Sequence, residues 1–311
     1  MKDLLRIADL TAGDLARLLR LTAWFADNPY GSEGLLRHRT VVLYFAKPST
    51  RTRVSTETAV VRLGGTPISV GPGELQLGRG ETIADTARVL SSYASAIVIR
   101  TFADAEVREL AAAAEIPVVN ALTDGHHPLQ AIADLFTLQE RFTTLRGRRI
   151  AYVGAGNNVT HSLMEAAALS GMDIAVATPP GYEPADDVVA FTAEEIERHG
   201  GRLLLTHDPA EAVKEASAVY TDVWLSMGDP GEERERRAAD LRPYRVDAGL
   251  MAQARDDAVF LHCLPAHRGE EVSADVIDGP RSAVFRQAAN RLPVAQAVLY
   301  ALLQGLLEGA R

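Results

Sequence analysis

Three hydroxyls and two arginines follow one another at Ser49-Thr50-Arg51-Thr52-Arg53, directly after the apolar run Val41-Val42-Leu43-Tyr44-Phe45 and ahead of a helical pattern. With Ser49 as N-cap, the free amides of the first turn, the hydroxyls and Arg51 would converge on one point, backed by the positive end of the helix dipole. That is a cradle for an oxyanion or a phosphate; a serine-capped surface helix with ordinary arginines fits the same residues. Arg53 is the weaker ligand, because Glu57 stands four residues on and can pair with it. Arg100 closes the apolar run Ala96-Ile97-Val98-Ile99 and so places a cation at a strand end, as a ligand or as a solubilising terminus. His127-Pro128-Leu129-Gln130 sets an imidazole and an amide three residues apart, with Pro128 at the favoured first helical position. A neutral or cationic His127 there could donate to a developing oxyanion, or simply cap its helix. Arg291 stands just before the closing helical pattern, where an arginine is ordinarily structural.

Later in the chain the residue types change. Gly154-Ala155-Gly156-Asn157-Asn158 follows the apolar run Ile150-Ala151-Tyr152-Val153, but the third glycine of a dinucleotide fingerprint is replaced by Val159. The next strand ends in Thr178-Pro179 where a ribose-binding carboxylate belongs, which disfavours a nicotinamide-dependent oxidoreductase. Asn158 reads instead as a polar strand-end group able to grip an amino-acid head group. Asp222, in Thr221-Asp222-Val223-Trp224-Leu225-Ser226-Met227-Gly228, could bind an ammonium or sit in a surface turn. Cys263, in His262-Cys263-Leu264-Pro265, is the sole cysteine; it excludes a disulfide framework and is either a small buried hydrophobe or a lone functional thiol.

Elements in βα order must carry these groups. Strand-like runs alternate with helical ones in two sets, before and after Arg146-Gly147-Arg148-Arg149, which predicts an α/β protein of two doubly wound parallel-sheet domains joined by interdomain helices. The expected boundaries are 1–143 and 144–291, with a closing helix from Pro293 through 308 inside a segment 292–311 that packs back on the first domain. In such sheets ligands lie beyond the carboxyl ends of the strands, where most of these residues stand. The charged stretch 232–237 reads as a solvated, mobile loop. A length of 311 residues with 47% hydrophobic content supports two cores. The formal charge of −9 argues against nucleic acid or an anionic membrane as partner, yet leaves room for one small anion held by a few arginines. With no uninterrupted apolar run of about 18 residues and no apolar leader, a cytoplasmic location is expected.

Together these segments resemble, in order and over essentially the whole chain, the aspartate/ornithine transcarbamoylase family. The shared features are Ser49-Thr50-Arg51-Thr52-Arg53, Arg100 and His127-Pro128-Leu129-Gln130; Asn157-Asn158, Asp222 with Ser226-Met227-Gly228, and His262-Cys263-Leu264-Pro265 resemble its ornithine branch. The resemblance implies transfer of a carbamoyl group from carbamoyl phosphate to the δ-amine of ornithine, giving citrulline and phosphate in arginine biosynthesis, without a metal or organic cofactor. It implies carbamoyl phosphate contacts from Ser49, Thr50, Arg51, Thr52, Arg100, His127, Gln130 and Arg291, and ornithine contacts from Asn158, Asp222, Ser226 and Met227. Cys263 and Leu264 would lie where the substrates meet, and Arg100, His127, Asp222 and Cys263 would take part in the chemistry. Gln76, in Leu75-Gln76-Leu77-Gly78, matches a loop residue that a neighbouring subunit contributes, so a homotrimer or a multiple of trimers is expected. Ala46 departs from the family, where many relatives carry Glu. Other acceptor amines, such as putrescine, acetylornithine or aspartate, remain open, as does a non-catalytic sensor of carbamoyl phosphate.

Overall fold

The computed structural model describes residues 1–77, 79–224 and 231–310. Helix α1 (Ala12–Asp27) leads to β1 (Thr40–Phe45), α2 (Arg51–Arg62), β2 (Thr66–Val70), α3 (Ile83–Tyr93), β3 (Ala96–Arg100), α4 (Asp104–Ala113), β4 (Val118–Leu122) and α5 (Pro128–Phe142). Then come β5 (Arg149–Val153), α6 (Asn158–Leu169), β6 (Asp173–Ala177), α7 (Asp186–His199), β7 (Leu203–Thr206), α8 (Pro209–Val213), β8 (Ala218–Tyr220) and α9 (Gly231–Leu241). The chain closes with α10 (Ala248–Met251), β9 (Val259–Leu261), α11 (Ala274–Ile277) and α12 (Val284–Leu303). Among the described residues, no helix is long and apolar enough to cross a membrane.

The α/β class with two parallel sheets is as expected. One sheet has the order β2-β1-β3-β4 and the other β7-β6-β5-β8-β9, every pairing parallel. Two compact units result: Met1–Phe136 with Asn290–Arg311, and Thr137–Ala289. The first is cored by Ile97, Ile99, Val107, Leu110 and Val118, the second by Val153, Ala175, Val219, Phe260 and Val272. Of these, Ile97, Ile99, Val118, Val153, Ala175, Val219 and Phe260 come from strands whose sequences read as continuous apolar runs and do not alternate, as in parallel sheets covered on both faces. In each sheet the chain reverses its direction of winding once, between β1 and β3 and between β5 and β8. Those two crevices are where a parallel sheet opens to a ligand.

Two expectations about helices fail. The stretch 232–237 belongs to α9 and is not a loop: Glu, Arg and Ala are strong helix formers, and the helix is pinned by buried Leu241 and by Arg237, which lies over the Tyr182 ring and donates to the Trp224 carbonyl. The closing helix does not begin at Pro293 and run through 308. It spans Val284–Leu303, with Pro293 inside it. Gln287, Asn290, Arg291, Val294, Ala297, Val298 and Ala301 are all buried, a spacing of three and four that continues unbroken through the proline. Burial of that stripe outweighs the one helical hydrogen bond a proline cannot donate. Gly305, at φ +62, then ends the helix, with Leu306 N–H bonded to the Ala301 carbonyl.

Candidate functional site

In the first unit, the crevice between β1 and β3 collects the predicted anion ligands. Phe45 pairs in register with Arg100, so the end of β3 lies beside the loop that follows β1. Helix α2 starts at Arg51, and its N-cap is Thr50, not Ser49 as expected; Thr50 has helical backbone angles and makes no side-chain cap. Ser49 turns elsewhere, its Oγ 3.5 Å from Nη1 of Arg100. The amide end of α2 thus receives no side-chain cap from Thr50. Arg291 reaches in from α12 and is buried: its Nη2 donates to Thr52 Oγ1 at 3.0 Å and its Nη1 to Gln130 Oε1 at 2.5 Å. The Gln130 amide nitrogen donates in turn to Asp134 Oδ1 at 2.8 Å, so both ends of this amide are assigned by their partners.

His127 lies in the same cluster, almost fully buried. Burial first, then the charges of Arg291, Arg100 and Arg51, push its pKa well below the ordinary histidine value, so it is a neutral imidazole and not the cation also left open above. The loop before it is tied down by Asp104 at the start of α4, whose carboxylate accepts from Thr123 Oγ1, Gly125 N and His126 Nδ1 at 2.6, 3.1 and 2.8 Å. Burial pushes that carboxyl up, but the bonds from His126 and Thr123, the His126 charge and the Gly125 amide outweigh it and hold the pKa at about 2. Because the folded-state value lies below the unfolded one, the stabilisation is complete above the unfolded carboxylate value of about 4 and lost as pH falls towards about 2. Urea midpoints measured across this range are expected to fall in the protein and to fall less in an Asp104→Asn variant; parallel curves would show that Asp104 does not hold the loop.

The second unit builds a site of opposite character at the crevice between β5 and β8. Asn157, just after β5, caps α6 by accepting from Val159 N and Thr160 N, and its Nδ2 donates to Asp222 Oδ2 at 2.8 Å. Asp222 follows β8 and is buried; its other oxygen accepts from Cys263 Sγ at 2.9 Å. The pair stands close to Tyr152, whose hydroxyl pKa is raised well above the ordinary value by burial and then by the charge of Asp222. Gly156 is packed against the chain at 182–184: a Cβ there would lie 2.4 Å from Pro184 N and 2.6 Å from the Glu183 carbonyl carbon. The glycine allows that close approach of backbone to backbone, so the space where a dinucleotide fingerprint would seat its pyrophosphate is filled by protein.

Two family models match the chain: the carbamoyl-P binding domain of aspartate/ornithine carbamoyltransferases over residues 2–140, and their Asp/Orn binding domain over residues 146–302. The chain belongs to the aspartate/ornithine carbamoyltransferase family. Within it, the chain is 49% identical over 302 residues to the ornithine carbamoyltransferase of Bacillus subtilis, covering 97% of this chain and 94% of that protein. It is 50% identical over 304 residues to the ornithine carbamoyltransferase of Carboxydothermus hydrogenoformans, covering 97% of each. The solved ornithine carbamoyltransferase from Pyrococcus furiosus superposes with a TM-score of 0.93 at 47% identity, covering 99% of this chain and 98% of that one.

Against this family background, the structure brings Ser49, Arg51, Thr52, Arg100, His127, Gln130 and Arg291 into one cluster and Asp222 with Cys263 into another. Asn158 is half-buried as the first residue of α6, and Leu264 follows Cys263 with a positive φ of 58°. Gln76 is exposed in the loop after β2, and among the described residues its side chain joins neither cluster. Ser226 and Met227 lie outside the described residues. Asn157, which the sequence pattern does not single out from Asn158, is the residue that joins the cap of α6 to Asp222; an Asn directly ahead of a helix that follows a strand is the signal for such a cap at the crevice. Arg53 is held by Glu57 at 2.9 Å on the exposed face of α2, as its spacing predicted. Arg53→Ala is expected to change chemical stability by less than about 1 kcal/mol, read from urea unfolding.

Proposed function

We infer that the chain is an ornithine carbamoyltransferase, which transfers the carbamoyl group of carbamoyl phosphate to the δ-amine of ornithine and yields citrulline and phosphate. The observation that carries this reading is the crowding of three guanidinium groups around one buried, neutral His127. So much like charge in one place is offset by a bound polyanion, and carbamoyl phosphate supplies one. The first unit, Met1–Phe136 with Asn290–Arg311, would take that substrate, and the second, Thr137–Ala289, would take ornithine. In the first, Arg51, Arg100, Arg291, Ser49, Thr50, Thr52 and the amide end of α2 hold the phosphate, while Gln130 holds Arg291 in place as well as lining the site. His127, being uncharged, gives a hydrogen bond to the carbamoyl oxygen without adding a further charge to repel the arginines; Arg100 and Thr52 are the other donors to that oxygen.

In the second, Asp222 is matched in charge to the ammonium groups of ornithine. Each of its oxygens accepts a hydrogen bond, one from Asn157 and one from Cys263, and each keeps lone pairs for binding. Asn158, Ser226 and Met227 complete the amino-acid contacts, and Cys263 and Leu264 border the reacting amine. The δ-ammonium first gives a proton to solvent. The neutral nitrogen attacks the carbamoyl carbon, the carbon–oxygen bond to phosphate breaks, and the proton released from the attacking nitrogen passes to the departing phosphate. The protein acts in the cytoplasm, in arginine biosynthesis, as a homotrimer or a multiple of trimers. Exposed Val54, Val61, Ile68, Val89 and Tyr93 on α2, β2 and α3 support self-association through the β2 side of the first unit, and Gln76, in the adjoining loop, would then serve a neighbour's site.

The test is a colorimetric assay of ureido product from carbamoyl phosphate with ornithine, putrescine, acetylornithine or aspartate as acceptor. Citrulline is expected to dominate, with kcat/KM for ornithine at least on the order of 10²-fold above the other amines. Equal or greater turnover with any of them would sink the assignment of ornithine.

A further inference from the structure

Beyond β9 the chain passes through His262, Cys263 and Leu264, and the last of these sits in the left-handed region at φ +58. A branched side chain rarely adopts that backbone conformation, and it persists only where the surroundings fix it. What fixes it is a set of buried polar groups. The Leu264 amide donates to His262 Nδ1 at 2.8 Å, and the His262 amide donates to Gln287 Oε1 at 3.0 Å. Gln287 Nε2 donates in turn to the Tyr220 hydroxyl at 3.1 Å. His262 Nε2 lies 3.2 Å from Glu271 Oε1, which also accepts from the His267 amide at 2.6 Å. Tyr220, His262, Glu271 and Gln287 are all fully buried.

The hydrogen bonds assign the imidazole. A backbone amide can only donate, so Nδ1 of His262 is the unprotonated acceptor, and the hydrogen is on Nε2, pointed at the Glu271 carboxylate. The ring is thus a neutral imidazole in a single tautomer, with a bond at each nitrogen. Cys263 is flanked by two amides that this set holds, its own neighbours on either side. Its thiol can remain on Asp222, 2.9 Å away, only while the main chain keeps this course.

We propose that His262, Glu271 and Gln287 are positioning residues for carbamoyl transfer, locking the main chain on both sides of Cys263 so that its thiol stays on Asp222 at the amine side of the reaction. The proposal rests on the reading of Asp222 and Cys263 as amine-side groups. Directional polar bonds suit this task better than apolar packing, because an arrangement that breaks a buried hydrogen bond leaves its groups unpaired at a cost.

Two replacements separate the roles of the ring nitrogens. His262→Asn can place its Oδ1 where Nδ1 was and still accept the Leu264 amide. His262→Gln can reach towards Glu271 but leaves that amide unanswered. We expect His262→Gln to lose on the order of 10²-fold in kcat while KM for carbamoyl phosphate moves less than about threefold, and His262→Asn to lose no more than about tenfold. Labelling of the sole cysteine by a disulfide reagent should run faster in His262→Gln by about tenfold as the thiol leaves Asp222, and stay near the wild-type rate in His262→Asn. In the wild-type protein, imidazole nitrogen spectra of labelled histidine should show one ring, the one absent from His262→Asn, as the Nε2–H tautomer.

Equal losses in the two variants with unchanged labelling rates would overturn the proposal, and so would an Nδ1–H or doubly protonated ring at that position. If His262→Gln does not fold, the wild-type spectrum decides alone. A wild-type protein that makes no citrulline would defeat the functional reading, whereas the tautomer and the labelling rates would still judge the network.

Discussion

Replacing Arg51 by alanine is expected to abolish saturation by carbamoyl phosphate, with kcat/KM for that substrate falling on the order of 10³-fold and KM for ornithine moving far less. Arg51 opens α2, so its guanidinium acts together with the amides of the same helix end, and it is one of three cations whose charge His127 feels. Its loss removes a charge-assisted bond to the phosphate and also lightens the field that keeps the imidazole neutral. Both changes weaken the transition state: the leaving group is less well neutralised, and a share of His127 becomes protonated at lower pH, where it no longer matches its surroundings. The pH profile of the variant should therefore shift its acid limb upward relative to the wild type. Initial rates against carbamoyl phosphate at several pH values measure this; normal saturation in Arg51→Ala would show that the cluster serves the fold and not the substrate.

The contrast between Arg51 and Arg53 shows how much of this site was legible in the sequence. Both arginines belong to one short motif, and the four-residue spacing to Glu57 was enough to set Arg53 aside. Arg100 was legible for a related reason, since a cation ending an apolar strand has few places to go besides the ligand crevice. The parallel sheets were legible because strands buried on both faces write themselves as apolar runs. Other features lie beyond the reach of local pattern. Thr50 takes the N-cap position from Ser49 because Ser49 is drawn towards Arg100, a residue 51 positions away. Pro293 reads as a helix start, and only the continuous buried stripe from Gln287 to Ala301 shows that the helix passes through it. Arg291 consequently changes meaning, from a flanking cation to a buried donor aimed at Thr52 and Gln130.

Asp222→Asn is expected to lower kcat/KM for ornithine on the order of 10²-fold, chiefly through KM, while KM for carbamoyl phosphate changes less than about threefold. The substitution keeps the shape of the side chain and removes its charge. In the native arrangement Asn157 donates to one carboxylate oxygen and the Cys263 thiol to the other, so the carboxylate is held from two sides before any ammonium arrives. An asparagine can keep its oxygen on Asn157 Nδ2 and turn its amide N–H to Cys263 Sγ, which then accepts where it donated before, and only weakly. The loss in binding thus combines a missing charge with a weakened bond to the thiol. The share that runs through Asn157 can be separated by a double-mutant cycle with Asn157→Ala. If Asn157 acts through Asp222, its removal harms the wild type by more than it harms Asp222→Asn, and the two losses do not add. Strict additivity, or an ornithine KM that stays normal in Asp222→Asn, would exclude the carboxylate as the ammonium-binding group.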